Sequence, residues 1–325
     1  RRGLSPVPRG RDGAPTFFRH RVRARLPDWK AMGAPAPVLQ WIEEGVRVQL
    51  RRPLLPFHLG NSLLDATPAQ QEFVDSELTR FLECGAWERG HRANYVSRVF
   101  LVPKPGNNKW RFVVDLRHLN AHCRDYKMRM ETLKRLRTLA RRGDRMFSFD
   151  LQDGFYMVAI HPADRDLFTV ELQGQLYRLA CLPMGWNASP YVFCRVVGVL
   201  VKYLRCLDTT AHKLPQTGVR RRRWARGSLH GIRLLWYMDD FLVFAPAAQI
   251  LEVRQIVQDS VRRLGLSTND AKSHWEPAQS LKHLGLVVNT KAGRFTVDND
   301  RVAQLRRHST DLLCRAAQHS RWVSK

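Results

Sequence analysis

The chain has 325 residues, 44% of them hydrophobic, enough to bury one large core or two to three modest ones. Lys and Arg number 54 against 29 Asp and Glu, a formal charge of +25, which implies a polyanionic partner and most simply nucleic acid, because neutralised phosphates release counterions. A membrane span is excluded: the longest apolar run, Val192 to Leu207, is broken by Arg195, Lys202 and Arg205.

In chain order, residues 1–36 are rich in Arg, Pro and Gly and read as a basic flexible arm. Residues 37–92 read as an N-terminal helical extension, in which Thr67 caps a helix with Pro68 at its first position and Gly85 past its end. Residues 93–145 hold a hairpin, with strands from Tyr95 to Pro103 and from Trp110 to Leu116, followed by a basic helix from about Met130 to Arg142. The run Met146 to Asp150 is a strand ending on a carboxylate. A second hairpin crosses Gln173-Gly174, and a long helix begins with Ser189 as cap and Pro190 at the first position. The loop 208–231 carries Arg220 to Arg223 and Arg226 beside Trp224, which suits either a solvated face or phosphate and base contacts. A third hairpin holds Tyr237-Met238-Asp239-Asp240 between apolar strands, and an amphipathic helix runs from Ile250 to Leu264. Leu281 to Val288 reads as one strand, pairing with Phe295 to Val297 across Gly293, and Val302 onward as a basic terminal helix. Six scattered cysteines without a CxxC pair read as free thiols in a reducing compartment, and the spacing of His118, His122 and Cys123 matches no common zinc site. A chain that begins with Arg and lacks a leader reads as a segment of a longer polypeptide, intracellular, in nucleus or cytoplasm.

Two adjacent carboxylates at a strand junction repel each other unless water or a cation relieves them. Taken alone, Asp239-Asp240 serves equally well as a polar turn. The alternation of strands and helices from 145 to 264 fits an antiparallel sheet backed by helices, an α+β fold in which Asp150 can lie beside Asp239 and Asp240. Oxygen-only ligands then favour Mg²⁺, with Mn²⁺ the alternative, and two such ions suit in-line displacement at phosphorus.

The segments Phe149 to Tyr156, Leu182 to Pro190 and Tyr237 to Asp240 resemble the three central motifs of reverse transcriptases. Lys104 and the segment Lys109 to Asn120 resemble the fingers hairpin of that family, and Gly265 to Lys272 and Leu281 to Leu286 its fourth motif and primer grip. The stretch from Gly33 to Gly45 resembles retrotransposons of the DIRS or gypsy type more than retroviruses.

The resemblance implies a right-hand polymerase: fingers in 93–145, a palm in 146–280 with 208–231 as a basic insertion loop, and primer grip and the start of a thumb in 281–325. It implies that Asp150 and Asp239 hold metals with the Leu151 carbonyl, with Asp240 nearby. Lys104, Arg111 and the backbone N–H groups of Asp153 and Gly154 would grip a triphosphate, and Phe155 would exclude a ribose 2′-hydroxyl. Gly185 would allow close approach to the template base pair, and Lys272 would protonate the leaving pyrophosphate, although an exposed surface lysine is the equal alternative. Met184 stands where retroviral enzymes carry Gln. The implied partners are an RNA template, a DNA or RNA primer and dNTPs, with no membrane. An RNA-dependent RNA polymerase and an inactive, domesticated nucleic-acid binder remain as alternatives.

Overall fold

The computed structural model describes residues 17–59, 63, 65–91, 93–104, 110–207 and 231–318. The Arg-rich run 220–226, the tip of the first hairpin at 105–109 and the first half of the expected arm lie outside the described residues.

The second half of that arm is helical. It forms α1 (Phe18–Ala24) and α2 (Leu26–Ala31), which lead into α3 (Ala36–Glu44). Arginine-rich composition hides their anchors: Val22, Trp29 and Met32 are buried in the main core, and the Trp29 indole N–H donates to the Leu264 carbonyl at 3.1 Å. Burying an aromatic of that size outweighs the solvated charges on the opposite face.

A short strand β1 (Phe57–His58) precedes α4 (Pro68–Glu83), whose N-terminus carries the capping box that Thr67 signals: its hydroxyl accepts from the Gln70 amide while Gln70 accepts from the Thr67 amide. Next come β2 (Trp87–Arg89), β3 (Tyr95–Ser97), β4 (Val99–Pro103) and β5 (Trp110–Val114). The expected single strand from Tyr95 to Pro103 is therefore two, because β3 pairs in parallel with β1 and β7 whereas β4 turns away and pairs, among the described residues, with β5.

The expected helix from Met130 to Arg142 is also shorter. After α5 (Arg117–His122), the described helix there is a 3₁₀ turn at Leu133–Arg135 running into α6 (Leu136–Leu139). Three-residue leucine spacing fits the tighter helix, and Leu136 and Leu139 are what is buried.

The remaining elements are β6 (Arg145–Asp150), β7 (Thr169–Leu172), β8 (Gln175–Leu179), α7 (Ser189–Cys206), β9 (Arg233–Tyr237), β10 (Asp240–Ala245), α8 (Ile250–Arg263), β11 (His274–Ala278), β12 (Ser280–His283), β13 (Leu286–Asn289), β14 (Arg294–Val297) and α9 (Asn299–Gln318). Ser189 is the first residue of α7 and not its cap; its hydroxyl donates to the Pro183 carbonyl at 2.7 Å. The run expected as one strand from Leu281 to Val288 is a hairpin, because Leu284 and Gly285 both take positive φ (48° and 78°) and reverse the chain. β14 pairs with β13 as expected.

The architecture is α+β. A mixed sheet runs β1-β3-β7-β8-β2, and an antiparallel sheet runs β11-β6-β10-β9. Both faces of the second sheet are buried. Phe147, Phe149, Phe241 and Val243 face the main core with α7 and α8, while Met146, Leu242 and Phe244 face a smaller core with α6 and the β12–β13 hairpin. This is why its strands read as continuous apolar runs with no polar alternation. No helix among the described residues is long and apolar enough to cross a membrane.

Candidate active site

Side chains alternate along a strand, so Asp150 points to the same face of β6 as Met146, and Asp240 to the same face of β10 as Leu242. That face lies away from α7 and α8. Antiparallel pairing makes Asp240 the register partner of Asp150 on one side and of Tyr237 on the other. The turn closing β9 onto β10 is tight: Met238 takes the left-handed conformation (φ 58°), and the Asp239 carbonyl accepts the Leu151 amide at 3.0 Å. The strand end and the turn are thereby tied together, and ligand oxygens of Asp150, Asp239 and Asp240 lie within 4.8 Å of one another. Among the described residues this is the group able to hold a metal ion.

Packing beneath the carboxylates is aromatic. Phe149 and Phe241, each adjacent in sequence to a carboxylate, stack at 4.4 Å between centroids and 8° between planes, and Trp275 stacks on the other side of Phe149 at 5.1 Å. Trp236 continues the row beyond Phe241 at 6.4 Å. Cross-strand aromatic pairs of this kind fix register, and a slip of one residue would turn either carboxylate to the opposite face.

Charge accumulates on this rigid base. Burial pushes the Asp240 carboxyl up to about 6, and the neighbouring Asp239 and Asp150 push it the same way. Burial and then Asp239 raise Asp150, opposed by Lys272, whose Nζ stands 3.6 Å from Asp150 Oδ1. A divalent cation would relieve this repulsion, and an all-oxygen donor set suits a hard ion, so the residues present fit such a group.

Around the carboxylates, the segments expected to bind nucleotide take definite places. Asp153 (φ 48°) starts a 3₁₀ turn over Gly154–Met157. A Cβ on Gly154 would lie 2.7 Å from the Phe193 ring, so glycine is what lets this turn sit down on α7. Phe155 is half-buried, edge-on to Phe193 at 5.3 Å. Met184 is 67% exposed, and Gly185 (φ 97°) is held through its carbonyl by the Asn120 amide at 2.7 Å. Lys104 and Arg111 are exposed on the β4–β5 hairpin, and no ion pair joins them to the carboxylates among the described residues. The structure therefore brings together Asp150, Asp239, Asp240, Leu151 and Lys272.

Two contributors carry no local sequence signal. Arg80 of α4 reaches Asp153 at 3.6 Å, and Asn120 bridges the loop before α7 by also accepting the Asn187 amide at 3.0 Å. Both act across long sequence separations. At the far edge, Glu131 and Arg205 satisfy the outer side of β9, with Glu131 accepting the Trp236 amide and Arg205 donating to the Leu234 carbonyl.

Comparison with known proteins agrees with this geometry. Residues 102–288 match the family described as reverse transcriptase (RNA-dependent DNA polymerase). The Gag-Pro-Pol polyprotein of Human T-cell leukemia virus 2 is 24% identical over 216 residues, covering 63% of this chain and 13% of the polyprotein. The Gag-Pol polyprotein of Bovine immunodeficiency virus (strain R29) is 22% identical over 211 residues, covering 62% of this chain and 12% of the polyprotein. The chain thus spans about an eighth of the length of these curated relatives.

Proposed function

Because the chain belongs to the reverse transcriptase (RNA-dependent DNA polymerase) family, we propose that it synthesises DNA on an RNA template by adding dNTPs to a primer 3′-hydroxyl. The observation that carries this reading is the convergence of Asp150, Asp239 and Asp240 on one small volume. Asp150, Asp239 and the Leu151 carbonyl would hold two Mg²⁺ ions, with Asp240 beside them and Mn²⁺ as the substitute. When bound, such ions supply Lewis-acid charge for in-line displacement at phosphorus.

The chain's own residues do the rest. Lys104, Arg111 and the backbone amides of Asp153 and Gly154 bind the triphosphate, where cationic and N–H donors match phosphate oxygens. Phe155 lies under the sugar, its ring excluding a 2′-hydroxyl. Lys272 holds a proton at Nζ for the departing pyrophosphate. Gly185 and Met184 line the approach to the template base pair. The excess of 25 positive charges supports a template–primer duplex as partner. The parent element is a retrotransposon of the DIRS or gypsy type, and the site of action is intracellular, in nucleus or cytoplasm.

The test is primer extension on an RNA template with dNTPs and Mg²⁺, comparing wild type with Asp239→Asn while measuring primer–template binding for both. The expected result is extension by the wild type only, with binding retained in both. Binding without extension by the wild type would favour a domesticated nucleic-acid binder. Equal use of rNTPs and dNTPs would favour an RNA-dependent RNA polymerase.

A further inference from the structure

Arg21 lies far from the carboxylates in sequence, yet it belongs to the set of bonds that holds them. The loop after α8 runs from Gly265 to Ser273 and is laced to the end of β6. The Gln152 amide donates to the Ser267 carbonyl at 2.9 Å, Leu151 bridges to Thr268, the Asn269 amide donates to the Asp150 carbonyl at 2.9 Å, and the Asp150 amide donates to Ser273 Oγ at 3.2 Å. Lys272 rides on this loop.

Its other side is held by α1 and α2. Arg263 pairs with Asp28 at 2.7 Å, and Trp29 bonds the Leu264 carbonyl. A Cβ on Gly265 (φ 72°) would lie 2.5 Å from the Arg21 carbonyl, so the backbone of α1 rests directly on that glycine. The Arg21 guanidinium then donates to Ser267 Oγ at 2.8 Å. Ser267 is thus a joint, its side chain bonded to Arg21 and its carbonyl to Gln152.

Packing does not lock this joint by itself. A cleft of about 1150 Å³ opens beside it, lined by Arg21, Gln152, Gly265, Ser267, Thr268 and Trp275. Where side chains do not fill the space, hydrogen bonds decide where the loop rests, and a bond from a charged donor is stronger than a neutral one. Arg19, Arg23 and Arg25 do not substitute: Arg19 donates to the Gly85 carbonyl, and Arg23 and Arg25 are exposed.

We propose that Arg21 is a positioning residue for nucleotide transfer, holding Ser267 and through it the Gln152 and Asn269 bonds that place Asp150 and Lys272. The inference rests on the polymerase reading of the site. It assigns the N-terminal helices a part in the chemistry although they contribute no group to it.

A double-mutant cycle on the full chain tests it, with Arg21→Met, Ser267→Ala and both together, and Arg21→Lys as the conservative variant. Each single variant is expected to speed amide hydrogen exchange at Gln152 and Asn269 by about tenfold, the worth of one charge-assisted bond. kcat for dNTP addition is expected to fall by about tenfold, because small misplacements of reacting groups are costly. Primer–template binding should stay at its wild-type value and melting temperature should fall by no more than about 2–4 °C, the share of one bond in a chain of this size; the double variant should be no worse than either single, and Arg21→Lys should recover part of the loss.

Additive effects, unchanged exchange at Gln152 and Asn269, or a fall in melting temperature well beyond about 4 °C with faster exchange across the whole β11-β6-β10-β9 sheet would overturn the proposal. A wild-type chain that incorporates no nucleotide would instead overturn the polymerase reading, and the exchange arm would still decide whether Arg21 holds the loop.

Discussion

Asp150 and Asp240 are register partners on neighbouring antiparallel strands, and the backbone between them is closed by the bond from the Leu151 amide to the Asp239 carbonyl. Two carboxylates opposite each other on a sheet are destabilising on their own. Their placement is accepted because the stacked rings of Phe149 and Phe241, one residue away on each strand, supply packing that holds the register.

The repulsion has a pH signature in the metal-free protein. Asp240 rises from the ordinary 3.8 to about 6, through burial first and then Asp239 and Asp150. Between these values the unfolded chain has released the proton and the folded chain keeps it, so stability falls as pH rises from about 4 to about 6 and the full penalty stands above that. Asp240→Asn removes the penalty. In chelator, thermal denaturation should show the variant melting above wild type at pH 7 and together with it below pH 4; Mg²⁺ at pH 7 should raise the wild type more than the variant.

Phe241→Ala deletes the centre of the aromatic row at a position with no solvent exposure. Loss of the ring and the cavity left behind should lower stability by about 3–5 kcal/mol. Chemical denaturation measures this. Phe241→Leu should lose less, and the Mg²⁺ concentration for half-maximal primer extension should rise for both.

Phe155 is half-buried against Phe193, so its truncation changes the exposed side of the turn as well as the core. Phe155→Ala should raise rNTP incorporation relative to dNTP by about 100-fold, in line with steric discrimination by a single pocket group. Competing rNTP and dNTP in single-nucleotide extension reads the ratio. An unchanged ratio would remove Phe155 from sugar selection.

Arg233 and Asp144 form a buried bidentate pair, Nη1 to Oδ2 at 2.6 Å and Nη2 to Oδ1 at 2.8 Å, at the end of β9 away from the carboxylates. Arg233→Met strands the Asp144 charge and should cost about 3–5 kcal/mol, whereas Arg233→Met with Asp144→Leu should recover much of it, because a buried pair is worth little against well-packed apolar groups. Denaturant unfolding of the single and double variants decides this.

The carboxylates were legible because charge at the junction of two buried strands is anomalous, and because Phe149 to Tyr156 and Tyr237 to Asp240 resemble known motifs. Elements set by local chemistry were legible too: Thr67 and Pro68 open α4, and Gln173-Gly174 turns β7 into β8 with positive φ at both residues. Misreadings arose where composition masked geometry. Leu281 to Val288 looks like one strand because its apolar residues are continuous, yet Leu284 and Gly285 reverse the chain. Residues 17–31 looked flexible because arginines outnumber the buried Val22 and Trp29.

What the sequence by itself determined is the family of the chain: the charge, the carboxylates, the order of the motifs and the hairpin that carries Asp239 and Asp240. These depend on residue type and near neighbours. Only the tertiary structure decided that Asp150 faces Asp240, that Arg80 reaches Asp153, that Asn120 holds Gly185 and that Arg21 holds Ser267. Each of these joins segments whose proximity is set by burying the main core, and the energy of that burial is a property of the whole packed chain, carried by no single stretch of it.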